Sequence, residues 1–220
     1  MSFLNWLRSL PTWIEFVIVV AVCWGLALVG SIMGLVVGLE ERVLDSAAFG
    51  QFLVIELVSF AIAYWFLGVR GWSYAAFPLG VGWRTTGAGL LLVVAITLVN
   101  WVVVSFGLAL GANIEPLKQI TQSISINLPT AIVVSIVNGA FEELFLVGYV
   151  FAALWDRGVP FVIGTSVVLR VLAHVYQGPV GAFSILGMGL VFGLVYLRYR
   201  QLWPLIFAHI TVDALALGRL

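Results

Sequence analysis

Glu142 and Glu143 stand side by side in an apolar run, Asn138 to Tyr149, where a carboxylate needs a reason to be. A charged side chain near the middle of a bilayer-spanning helix costs roughly 2.5–3.5 kcal/mol on insertion scales, so it is kept for a partner, a water-filled cavity or a reaction. The chain holds 2 histidines, and both lie in later apolar stretches: His174 in the pattern Arg170-x-x-x-His174, His209 in the pattern His209-x-x-x-Asp213. On a helix that spacing puts each pair on one face. Two imidazoles and a carboxylate, here His174, His209 and Glu142, can hold a metal ion such as zinc. The same groups can work without a metal, a glutamate serving as general base for water and the histidines as hydrogen-bonding partners. They can also form a proton or ion relay. No His-Glu-x-x-His helix is present, so zinc would be held from separate helices.

Composition dictates what positions these residues. Of 220 residues, 63% are apolar and 9% charged, against roughly 45–50% and 25% in soluble domains. The chain is an integral membrane protein. At about 20 residues per span the length holds about seven spans and no soluble domain. The expected fold is all-α, a polytopic membrane protein forming a single domain over residues 1–220, with a polar catalytic cluster inside the bundle. Apolar runs and their punctuation give spans at 13–38, 49–69, 86–110, 129–154, 160–177, 180–197 and 202–217. Residues 1–128 hold the first three, and 129–220 hold the four that carry the candidate residues.

Smaller signals fill in the rest. A formal net charge of 0 with no basic run speaks against a nucleic-acid partner. Cys23, the single cysteine, reads as ordinary packing. Residues 1–12 suit a short helix lying in the membrane interface, and Gly30, Gly34 and Gly38 form a stripe that a neighbouring helix could approach. Glu40, Glu41, Arg42 and Asp45 mark a solvated loop, and the second span carries Glu56, either a group at the site or a hydrogen-bonding group within the bundle. Trp72 and Trp83 flank a loop as headgroup anchors would. Ile114, Leu117, Ile120 and Ile124 repeat at near-helical spacing, as in a surface-lying segment that covers the entrance. Glu142 comes about 20 Å along its helix from Pro129, near mid-membrane. Arg8, Arg70, Arg84, Arg157, Arg198 and Arg200 fall on one side, with Arg42, Lys118 and Arg219 opposite, which places the amino terminus in the cytoplasm and the turn after His174 on the outer side.

The order and spacing of the three motifs, Glu142-Glu143, Arg170-x-x-x-His174 and His209-x-x-x-Asp213, resemble those of the CAAX prenyl protease and bacteriocin-processing (CPBP, or Abi) family. The words around them, from Leu169 to Gly178 and from Phe192 to Tyr196, look like bacterial members. The resemblance covers about Ala131 to Leu217. It implies an intramembrane endopeptidase of the cell membrane, cutting a membrane-associated protein or peptide drawn from the lipid bilayer, in which Glu142 activates water. His174 and His209 would position that water or stabilise the oxyanion, and Asp213 stands where the family has Asn or Asp. Neighbouring helix residues point about 100° apart, so Glu143 is assigned a supporting bond. One departure is Val147, where the family usually has Arg; Arg170, where many members have Phe, would supply the missing charge to Glu143. The alternatives are a non-enzymatic immunity or regulatory protein and a small proton- or ion-coupled transporter, the latter weakened by the lack of two matching broken helices.

Overall fold

Helices that are apolar all round bury little of themselves unless they lie in lipid or at the centre of a bundle. In the computed structural model, which describes residues 2–38 and 43–218, both cases occur. The chain is 84% helical, so the fold is all-α. The elements are α1 (Phe3–Arg8), α2 (Thr12–Val37), α3 (Ser46–Val69), α4 (Trp83–Ala109), α5 (Glu115–Ser123) and α6 (Leu128–Glu142). A π-helical turn, Glu143–Tyr149, follows, then α7 (Val150–Leu154), α8 (Val159–Leu172), α9 (Gly178–Tyr199) and α10 (Trp203–Gly218). Two-residue strands β1 (Leu44–Asp45) and β2 (Ile124–Ser125) pair in parallel and lead into α3 and toward α6.

Five segments are long and apolar enough to cross a membrane: α2, α3, α4, the continuous run Leu128–Arg157, and Val175–Tyr199. α8 and α10, with 14 and 16 residues, measure about 21 and 24 Å at 1.5 Å per residue, short of a hydrocarbon core of about 30 Å. The expected seven spans therefore stand as five long helices and two shorter apolar ones. The helix expected through Gln177 stops at Leu172 because the chain turns there: Ala173 closes α8, Val175–Gln177 form a 3₁₀ turn, and Gly178 takes φ 77°. Glycine adopts that left-handed conformation without steric cost. Pro179 then opens α9, where its missing N–H is harmless.

The Leu128–Arg157 run is the axis of the fold. Its best apolar window is 61% buried, against 17–39% in the other four long helices. On one side Phe141, Phe145 and Tyr149 pack with Trp24 of α2 and Phe66 of α3. On the other, Val147 and Phe151 pack with Leu92, Phe192 and Leu205. The run approaches α10 closely, for a Cβ on Gly139 would lie 3.0 Å from the backbone nitrogen of Ile210. The Gly30/Gly38 positions of the expected stripe have open space around them instead.

Polar groups at the helix ends differ from the loop expectations. Arg70 Nε donates to Glu15 Oε2 at 2.6 Å, and its Nη1 donates to the carbonyls of Leu7 and Arg8, which satisfies the open end of α1. Trp72 Nε1 donates to Glu15 Oε1 at 3.0 Å, so Trp72 has an internal partner. Asp45 caps α3. Glu40, Glu41, Arg42 and Arg219 lie outside the described residues. α5 lies on the surface with no buried residue, and Pro116 at its start rests against Gly178, next to the turn that follows His174.

Candidate active site

α6 starts cleanly: Asn127 accepts the amide of Thr130, and Pro129 sits in the first turn. Its regular ladder ends at Glu142, and the following turn is widened to the π pattern over Glu143–Tyr149. Such single π turns within α-helices recur at functional sites. Here the distortion lets two adjacent carboxylates meet one cation. Arg170 of α8, 1% exposed, donates from Nη1 to Glu142 Oε2 at 3.0 Å and from Nη2 to both oxygens of Glu143 at 2.8 Å. Its guanidinium carbon lies 5.6 Å from the centre of the Phe192 ring.

The two acids are then held differently. Glu143 is fully buried with both oxygens engaged, and Oε1 also receives Nδ1–H of His209 at 2.6 Å. Glu142 has one oxygen on Arg170; Oε1 stands 3.8 Å from His174 Nε2, too far for a direct hydrogen bond. His174 Nδ1 lies 2.8 Å from the carbonyl of Arg170, and a carbonyl only accepts, so Nδ1 carries the proton and Nε2 of the neutral ring is an acceptor facing Glu142. His174 keeps its relation to Arg170 although it sits beyond the end of α8, and with its side chain 18% exposed it is the more open histidine.

The third wall is α10. His209 Nε2 is 3.5 Å from Asp213 Oδ2, and that oxygen accepts from Asn138 Nδ2 at 3.0 Å. Asn138 was not among the expected site residues. Its position one turn before Glu142 on the same helix face was a usable signal. The structure thus brings Glu142, Glu143, Arg170, His174, His209 and Asp213 into one network and adds Asn138. A second network, Tyr149 Oη donating to Glu15 Oε1 at 3.3 Å beside Arg70 and Trp72, ties the end of the π turn to α2.

The metal set expected from the sequence is regrouped. Glu142, Glu143 and His209 each offer a ligand atom, all within 4.8 Å of one another. His174 is not in that group, and both carboxylates are already engaged by Arg170. The donor set fits a guanidinium; a divalent cation would have to displace it.

Gly139 sets the distance between α6 and α10. Gly139→Ala should push Ile210 away, lengthen the His209–Glu143 bond and lower stability by about 1–3 kcal/mol, as overpacking does. Thermal unfolding of the variant beside the parent checks this, and an unchanged midpoint would mean that α10 accommodates the methyl group.

Residues 124–215 match the family model described as type II CAAX prenyl endopeptidase Rce1-like. The match begins at β2 and ends on α10, so it contains every residue of the network. No curated protein and no solved structure matches the chain.

Proposed function

Because residues 124–215 are an Rce1-like domain of the CPBP family, we propose that the protein is an intramembrane endopeptidase whose nucleophile is a water activated by Glu142. The observation that carries this reading is the inequality of the two acids. Both oxygens of Glu143 are engaged by Arg170 and one of them also by His209, whereas Glu142 Oε1 faces His174 Nε2 across 3.8 Å. A water between these two acceptors gives one hydrogen to each, and its lone pair is left to attack.

In this mechanism the water oxygen bonds to the carbonyl carbon of the scissile peptide as Glu142 Oε1 takes its proton. The carbonyl becomes an oxyanion; Asn138 Nδ2, one turn before Glu142, and His209 Nε2 on α10, the latter as an imidazolium held between Glu143 and Asp213, are the groups that would donate to it. Collapse breaks the C–N bond, and the proton on Glu142 passes to the leaving amine. Arg170 holds Glu142 in place and balances its charge without touching the reacting atoms. The reading needs no metal ion; were one bound in place of the guanidinium, it would polarise the carbonyl and the water.

Cleavage of a fluorescein-labelled peptide ending in a farnesylated Cys-Val-Ile-Met tail, by purified protein in detergent, tests the reaction. Turnover that yields one new amine per peptide is expected. No cleavage, together with proton flux through liposomes carrying the protein, would favour the relay instead.

A further inference from the structure

Among the described residues three buried side-chain atoms lack a hydrogen-bond partner: Ser184 Oγ, Arg170 Nε and Glu56 Oε2. A carboxyl oxygen buried without a partner is costly, and Glu56 is 5% exposed. Its place follows from the way α3 and α6 run side by side in one direction, as the parallel pairing of β1 with β2 ahead of them requires. Near the start of both helices Thr130 Oγ1 donates to Ser46 Oγ at 3.4 Å. Farther down, the Phe60 and Phe145 rings meet edge to face at 6.1 Å. The register that these two contacts set brings Glu56 opposite about Ala140 and Phe141, within a turn of Glu142 along the helix axis. It precedes Phe60 by one turn on the same face of α3, the face that meets α6. At the head of the same seam lies a cavity of about 420 Å³ lined by Ser46, Ser125, Asn127 and Leu217, where α3 and α6 begin and α10 ends.

A peptide can be cut only once it is extended, and in the membrane interior its freed N–H groups need acceptors. Helix backbones have already spent their carbonyls, so side chains must supply them. We propose that Glu56 is a substrate-binding residue of this site, its unpartnered oxygen accepting a backbone N–H of an extended segment that enters along the seam of α3, α6 and α10. The assignment rests on the endopeptidase reading for its substrate, and binding is measured apart from cleavage so that the two can fail separately.

The test uses full-length Glu142→Gln protein in detergent and the farnesylated fluorescein peptide, read by fluorescence anisotropy. Glu56→Leu in that background should weaken binding about tenfold, the effect of one buried hydrogen bond. Glu56→Gln should stay within about threefold of the parent, because an amide oxygen still accepts. A peptide with an ester in place of one amide near the cut should bind the parent more weakly and the Glu56→Leu variant no more weakly than the amide peptide does. Glu56→Ala takes the place of the leucine variant should the latter fail to fold. Equal affinity for parent and variant, or no saturable binding by the parent, overturns the assignment. The expected affinities with no cleavage by the wild-type protein would instead keep Glu56 as a peptide contact and remove the endopeptidase reading.

Discussion

Glu142→Gln should leave the protein folded and reduce kcat by about 10³-fold, within the range that a general base contributes. The amide keeps the size of the side chain and an oxygen for Arg170 Nη1, so the ion-pair wall survives while the proton acceptor is lost. KM should change little, because binding the peptide does not need the proton to move. His174→Ala should also stop turnover, since the attacking water then loses the second of its two acceptors. Measured kcat near the wild-type value for Glu142→Gln would remove the general-base role from this residue.

Arg170→Met should be the most destabilising single change in the chain, because it strands both carboxylates. Breaking a buried ion pair by removing one partner costs about 3–5 kcal/mol, and Arg170 serves two partners at 2.8–3.0 Å. Glu143→Gln should cost less, since its amide oxygen can still accept from Arg170 and His209. Combining the two should return only part of the loss, for Glu142 stays unpaired; adding Glu142→Gln should return most of the remainder. Thermal unfolding in one detergent across the series reads the coupling. Strict additivity would mean that the three side chains do not share an ion pair in the folded protein.

The spans with one uninterrupted apolar run were legible because lipid asks only for length and hydropathy. Expected limits of 13–38 and 86–110 meet helices at Thr12–Val37 and Trp83–Ala109. The residues of the polar network were legible for a related reason: Glu142, His174 and His209 are conspicuous where nearly everything else is apolar. What stayed hidden depends on tertiary position. Glu15 and Arg70 stand at helix ends, where a charge is unremarkable, and nothing local says that they meet across 55 positions of sequence. The π turn has no composition of its own, since Leu144, Phe145, Leu146 and Val147 would suit an ordinary helix equally well. Gly178 and Pro179 did announce a stop, but the 3₁₀ turn that removes Val175–Gln177 from α8 arises from how the chain reaches α9.

The shared guanidinium also sets a condition on how the chain is made. Arg170 follows Glu143 by 27 residues, so α6 leaves the ribosome carrying two acids and no counter-charge. Each charge at mid-bilayer costs about 2.5–3.5 kcal/mol on the insertion scale, enough to hold that segment back from lipid while it is alone. The turn at Trp155–Arg157 and Gly158 folds α8 directly against the end of the Leu128–Leu154 run. Biogenesis accordingly favours lateral release of the two as one hairpin, with the charges already neutralised, and the short α8 enters the bilayer by virtue of the cation it brings.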